Sequence, residues 1–292
     1  MAGQPSTTAA KLAVRPAAFR IDTTQRRERY LKMLVYGNYG VGKTYLAGTA
    51  TEVESMRDVL IVNAEAGDLS LAAFENLDEI TVQDFKTLGR INEYLKQHCT
   101  ARDAGDIDRL RTLEAHVRQV DEKEIKVPRQ YRTVIIDSLT ELEAYCFNQL
   151  LGITDTTRLD DETQSAEWSE YKKNHTMMQR VVRAFRDLPM HVIFTAAEQF
   201  NQDENKRYKY SPDLTGKLSK KVQGFMDMVG YLAVGKDGEK TIRRLYVSPS
   251  STGKYDAKHR YQAFKGEFFT NPTIKSILVE TGLANKDGTP LK

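Results

Sequence analysis

Residues 31–44, LKMLVYGNYGVGKT, constrain this chain more than any other stretch. Leu31, Met33, Leu34, Val35 and Tyr36 form a short, mostly apolar run, the pattern of a buried strand. Gly37 ends the run. Gly37-Asn38-Tyr39-Gly40-Val41-Gly42-Lys43-Thr44 then satisfies G-x-x-x-x-G-K-[ST] at every fixed position. After Thr44 the pattern turns helical, with Leu46, Ala47 and Ala50 as inner positions. Strand, glycine loop and helix are the parts a phosphate cradle needs. Glycines let backbone N–H groups converge on the phosphates, and the helix N-terminus adds favourable dipole charge. The cradle is expected to run from Gly37 through Tyr45. Lys43 would reach the β- and γ-phosphates of a nucleotide, and the Thr44 hydroxyl would help to hold Mg²⁺. A chance glycine-rich turn is the competing explanation, and the strand before and helix after it disfavour that.

A second strong signal is Tyr131-Arg132-Thr133-Val134-Ile135-Ile136-Asp137-Ser138. A β-branched run ends in an acid, so Asp137 would hold Mg²⁺ opposite Thr44. Ser138 suits the N-cap of a following helix, on which Leu139, Leu142, Cys146 and Leu150 share one face. Between these two signals, Asp58–Asn63 reads as another buried strand, ending at Ala64-Glu65-Ala66-Gly67-Asp68. Ligands of open α/β sheets bind at the carboxyl ends of strands, so Glu65 is a candidate for orienting an attacking water. With Lys43 and Asp137 it makes the expected catalytic set.

Composition adds exclusions. The formal charge is +3 over 292 residues, too small to prove a nucleic-acid partner by itself. Cys99 and Cys146 are the two cysteines, so there is no disulfide framework or zinc pattern, which suits a reducing cytoplasm. The five histidines are scattered rather than spaced as metal ligands. No apolar stretch is long enough to span a membrane, and no signal core opens the chain.

The remaining segments follow in order. Residues 1–30 lack periodicity and read as a flexible arm. Either it is an unstructured tail or it docks on a neighbouring subunit through Pro16-Ala17-Ala18-Phe19. Residues 31–292 read as one nucleotide-binding domain. Ile80-Thr81-Val82 is a short strand, and Asp84 caps a helix carrying Phe85, Leu88, Ile91, Tyr94 and Leu95. Residues 99–130 read as a charged helical insertion with a solvated face. A helix over 166–188 is expected to turn Trp168, Tyr171, Met178, Val182 and Phe185 inward, and Pro189 stops it. Residues 190–196 form another buried strand. Residues 201–216 then read as a long polar loop in which Lys206-Arg207-Tyr208-Lys209-Tyr210 alternates bases and aromatics. Cations neutralise phosphates and rings stack on unpaired bases, so this is a candidate single-stranded DNA contact. A merely solvated loop is the alternative. Two strands, 228–234 and 241–247, meet at Asp237-Gly238, a hairpin signal. Pro272 opens a last helix that stops near Gly282.

GNYGVGKT at 37–44, VLIVNAEAG at 59–67, RTVIIDSLTEL at 132–142 and MHVIFTAAEQ at 190–199 occur in that order, followed by SPDLTGKL at 211–218, FMDMVGYLAV at 225–234 and AKHR at 257–260. This set resembles the RecA-like ATPases, and within them the phage ATP-binding family that includes Sak-type recombination proteins. The resemblance implies a RecA-like P-loop core: a mostly parallel central sheet flanked by helices, with a C-terminal β-hairpin. It implies ATP and Mg²⁺ as cofactors, with ATP held between self-associated subunits in a filament or ring. It further implies Glu65 as the catalytic carboxylate, and residues near 152–165 and 200–216 as the positions that line single-stranded DNA. Basic residues from a neighbouring subunit complete the ATP site in that class, which points to Lys258 and Arg260 acting in trans. The γ-phosphate sensor usually follows the strand equivalent to 190–195. Here alanines offset Glu198 and Gln199, so either could serve. No flanking domains are visible, which favours DNA binding and annealing over full strand exchange.

The sequence therefore reads as a DNA-stimulated ATPase of phage-type recombination or strand annealing in a host bacterial cytoplasm. A single-strand DNA-binding protein is a further candidate partner. A ring-forming helicase or packaging ATPase, and a nucleotide-gated DNA-binding module with little turnover, are the rival readings. A small-molecule kinase would need a pocket and lid that nothing outside the P-loop suggests.

Overall fold

Strands buried on both faces are apolar at nearly every position, and the chain builds its centre from such runs. The structure, a computed structural model, describes residues 30–65, 70–154, 156–158, 160–161, 165–202, 206 and 208–289. The expected arm, apart from Tyr30, lies outside the described residues, as do Ala66, Gly67, Asp68 and Arg207.

The strands are β1 (Lys32–Gly37), β2 (Val59–Asn63), β3 (Leu77–Thr81), β4 (Thr133–Asp137), β5 (His191–Gln202), β6 (Tyr208–Pro212), β7 (Met228–Asp237), β8 (Lys240–Tyr246), β9 (Lys258–His259) and β10 (Phe268–Thr270). The main sheet runs β10-β8-β7-β1-β5-β4-β2-β3. From β7 to β3 every neighbour pairs in parallel, whereas β8 joins β7 as an antiparallel hairpin. The helices are α1 (Lys43–Gly48), α2 (Thr87–Asp103), α3 (Ile107–Arg118), α4 (Leu139–Leu150), α5 (Trp168–Arg186), α6 (Leu218–Phe225) and α7 (Ile274–Glu280).

Alternation along each strand divides the core into two layers. Leu34, Tyr36, Val62, Ile136 and Phe194 face one layer, against Leu88 of α2, Leu142 of α4, Val182 of α5 and Val222 of α6. Met33, Val35, Ile61, Ile135 and Ile193 face the other, against Leu46 and Ala47 of α1 and Ile274 and Ile277 of α7. Cys146 is fully buried in the first layer, the core role read from its helix face. This α/β architecture, with its C-terminal strands, is the fold class the sequence implies.

Three expectations need correction. Trp168 and Tyr171 do not face the core: they are 74% and 42% exposed. The buried stripe of α5 is Asn174, Met178, Val182 and Phe185. Tyr171 lies on the line of that stripe but in the first turn of the helix, with the Phe147 ring edge-on to it at 5.1 Å. Second, β5 does not end at Ala196. It continues to Gln202 and pairs antiparallel with β6, from Glu198↔Pro212 to Gln202↔Tyr208. Much of the expected polar loop is thus a β-hairpin. Its rings explain this: Phe200 lies opposite Tyr210 and stacks diagonally on Tyr208 at 4.8 Å, the cross-strand pairing that stabilises such ribbons. Third, the charges of residues 99–130 are not all solvated. Arg118 bridges Glu114 and Asp78 at 2.7 and 2.9 Å, and Arg129 reaches Asp78 at 3.1 Å. These pairs fasten α3 and the chain after it to β3, the edge strand of the sheet.

Candidate nucleotide site

The loop between β1 and α1 takes its shape from its glycines. A Cβ on Gly37 would lie 2.3 Å from the Leu232 carbonyl oxygen, so only glycine lets β1 and β7 approach there. Gly40 and Gly42 hold φ of +70° and +99°, the left-handed region, and Gly42 stands at the N-cap of α1. The loop therefore ends with the free N–H groups of a helix start.

Lys43 is the first residue of that helix and only 6% exposed. Its Nζ donates to the Gly37 and Asn38 carbonyls, both at 3.1 Å. Burial lowers its pKa, and the Glu65, Asp137 and Glu198 carboxylates act in the opposite direction. Thr44 Oγ1 donates to Asp137 Oδ2 at 2.7 Å. Thr195 Oγ1, from β5, donates to Asp137 Oδ1. The Asp137 carbonyl accepts from Ala64 N–H at 2.6 Å, which ties the end of β4 to the end of β2.

Glu65 follows directly. Its N–H donates to Asn63 Oδ1 at 3.0 Å, and Tyr145 OH donates to the Ala64 carbonyl at 3.1 Å. The half-buried Glu65 carboxyl accepts from the Ser138 hydroxyl, and burial, with Asp137 nearby, raises its pKa above the ordinary 4.5. Lys43, Thr44, Glu65 and Asp137, predicted from separate stretches, thus meet at one end of the sheet. Tyr39 and Tyr45 flank them, 69% and 52% exposed, the first with Lys43 Nζ 5.6 Å from its ring.

The two sensor candidates divide. Gln199 spends its amide on the Pro212 and Leu214 carbonyls at 2.8 and 3.0 Å, bracing the hairpin. Glu198 bonds with Tyr231, keeps a buried Oε2 without a partner, and is among the carboxylates acting on Lys43.

Other predicted residues lie apart. Lys206 and Tyr208 are exposed on the hairpin, Tyr208 at 61%. Lys209 is ion-paired to Asp256, and Tyr210 is half-buried, stacked on Tyr231 at 5.3 Å. Those two are engaged within the fold, so the free aromatic face of the hairpin is Phe200 and Tyr208. Lys258 and Arg260 lie beside the start of β7, the sheet end opposite the P-loop, where Arg260 pairs with Asp227 at 3.0 Å. They do not reach this subunit's own P-loop.

Sequence reasoning missed two residues. Thr195 carried a faint signal, a hydroxyl inside the apolar run VIFTAA. Arg243 of β8 carried none: its Nε donates to the Val41 carbonyl at 2.9 Å, across 202 positions.

The donor set fits a nucleotide polyphosphate with a hard divalent cation. A hydroxyl and a carboxylate oxygen are the ligands Mg²⁺ takes from a protein, the rest coming from phosphates and water. Accordingly, no cluster of three or more His, Cys, Asp or Glu among the described residues could hold a metal alone. A model of the AAA domain family matches residues 29–261. The chain belongs to that family. No curated protein matches this AAA domain. Solved structures similar to it include the RadB recombinase, 16% identical over 82% of this chain and 86% of that one, TM-score 0.40. A KaiC-like protein from Pyrococcus horikoshii is 11% identical over 82% and 88%, TM-score 0.40. A DnaB-like replicative helicase is 15% identical over 84% of this chain and 54% of its own, TM-score 0.41. Among the described residues no helix is long and apolar enough to cross a membrane.

Proposed function

We propose that this AAA domain binds and hydrolyses Mg-ATP and couples it to single-stranded DNA in recombination or strand annealing. The observation that carries the first half is the meeting of Thr44, Asp137 and Thr195 beside Lys43 and Glu65. Bound Mg-ATP supplies the phosphoryl group and the cation that neutralises its charge. The P-loop N–H groups and Lys43 bind the phosphates. Asp137, oriented by two hydroxyls, holds its carboxylate toward the metal position. Glu65, ionised, accepts a proton from a water that it orients. Glu198 is the better sensor candidate, because its carboxylate retains an unpartnered oxygen while Gln199 is committed to the hairpin.

Support for the DNA half is the β5–β6 hairpin. Phe200 and Tyr208 are 53% and 61% exposed and stack on each other, an aromatic platform on the strand whose root carries Thr195. Lys206, exposed on the hairpin, supplies positive charge beside it. The test of the whole reading is nucleotide binding and phosphate release, with and without single-stranded DNA. Lys43→Ala should weaken ATP binding and abolish turnover, since a cation on the phosphates is lost. A parent rate in Lys43→Ala, or a parent protein that neither binds nor hydrolyses ATP, would sink it.

A further inference from the structure

Arg243 occupies an unusual electrostatic position. Its Nε donates to the Val41 carbonyl, and a Cβ built on Gly42 would lie 3.1 Å from that Nε and 3.8 Å from Cζ. The guanidinium therefore packs against the residue just before α1. Lys43 stands close by in the same P-loop. Arg243 is exposed, and among the described residues no carboxylate pairs with it and its two terminal nitrogens have no protein partner. Its planar fork of donors is therefore left open to solvent beside the P-loop, where it can face a phosphate held in that loop.

The backbone fixes this placement. Arg243 N–H donates to Asn271 Oδ1 at 2.9 Å, and its carbonyl accepts from Asn271 N–H at 2.7 Å. Two residues on, Thr273 caps α7, and Ile274 N–H donates to Thr49 Oγ1 at 2.9 Å. Thr49 Oγ1 donates in turn to the Leu46 carbonyl at 2.7 Å. The six-residue α1 is thus held at both ends by the C-terminal segment.

Strand order says which part of a nucleotide Arg243 would meet. Asp137 comes from β4, two strands from β1 on one side, and Arg243 comes from β8, two strands away on the other. On the proposed reading Thr44 and Asp137 would hold the metal at the γ-phosphate end, which leaves the flank of β8 for the α-phosphate side.

We propose that Arg243 is a second cationic nucleotide ligand, supplied in cis by β8 to the α-phosphate side. Its clasp to Asn271 makes the β7–β8 hairpin and α7 part of the nucleotide site. The proposal rests on the nucleotide-binding reading above.

The test is titration of parent, Arg243→Gln and Arg243→Lys with fluorescent ADP and ATP analogues, alongside melting of the nucleotide-free proteins. The α-phosphate is common to both nucleotides, so Arg243→Gln should weaken both by the same factor, about tenfold to a hundredfold for one charge-assisted bond. Arg243→Lys keeps the charge and should recover a large part of the loss. Nucleotide-free melting should fall no more than one lost hydrogen bond to Val41 explains, because the Asn271 bonds come from the Arg243 main chain and survive both substitutions. Unchanged affinity, a loss confined to ATP, or a loss that lysine does not recover would overturn the assignment. So would a larger drop in melting shared by both variants with affinity falling in step, which would mark Arg243 as a structural staple. A parent protein that binds neither nucleotide would defeat the underlying reading instead.

Discussion

Asp137 and Glu65 lie in one cluster but are held differently. Asp137 is 2% exposed and takes a hydroxyl on each oxygen, so its orientation is over-determined. Thr195→Val removes one of those donors without changing shape much. A hydrogen bond to a charged group contributes roughly 1.5–3 kcal/mol, so the Mg²⁺ concentration for half-maximal turnover should shift about tenfold or more. An unchanged Mg²⁺ titration would leave Thr195 a mere packing residue. Glu65 has a single hydroxyl partner and is pushed above the ordinary carboxylate range by burial. A base works only when ionised. The sign is therefore that turnover falls as pH drops through a midpoint above 4.5. Glu65→Gln should retain ATP binding, slow hydrolysis about a hundredfold or more, and lose that acid limb. Parent turnover, or a persisting limb in Glu65→Gln, would remove it from the chemistry.

At the scale of elements, β5 matters most. It begins in the core, passes Thr195 at the P-loop end and carries on into the hairpin with β6. One continuous strand thus joins the Thr195–Asp137 contact to the exposed Phe200–Tyr208 pair. Aromatic stacking on bases tolerates any sequence and contributes about 1–3 kcal/mol per base. Phe200→Ala and Tyr208→Ala should each cost single-stranded DNA affinity in that range, with little change in salt dependence. Replacing Lys206 and Arg207 should instead flatten the salt dependence, by about 0.7 in log–log slope per lost phosphate contact. Lys209→Ala is a useful contrast, because its ammonium already serves Asp256 within the fold. Equal DNA affinity in the aromatic variants would mean that the hairpin binds something else or nothing.

Across the whole molecule, Lys258 and Arg260 sit at the sheet end away from the P-loop, fastened beside Asp227. If they act on ATP, they act on a neighbour's. Arginine residues supplied in trans are worth about 10³–10⁵ in rate in enzymes that use them. Lys258→Ala or Arg260→Ala should then lower turnover while each subunit still binds ATP. Mixing either variant with Glu65→Gln should restore part of it, because some interfaces would hold one intact Glu65 and one intact cation. Phosphate release across mixing ratios is the measurement, and no recovery at any ratio, with co-assembly verified, argues against a shared site.

Much of the centre was legible because its chemistry lies in contiguous residues. A strand, a glycine loop and a helix specify a phosphate cradle locally, and three buried apolar residues, Val134 to Ile136, before Asp137 specify a strand whose end must carry that acid. Alternating strands and helices then imply parallel pairing, which brings Lys43, Thr44, Glu65 and Asp137 to one edge. Tertiary structure decided what local pattern could not express. Tyr171 follows the helical stripe of α5, yet whether a stripe position is buried depends on what the rest of the chain packs over that turn. Phe200 could pair with β6 only once that chain returned alongside it. Thr195 reaches Asp137 because β4 and β5 are neighbours, and Arg243 reaches Val41 because β8 folds back beside β7. Strand order is set by packing across the whole core, so contacts that depend on it leave no periodic trace in the sequence.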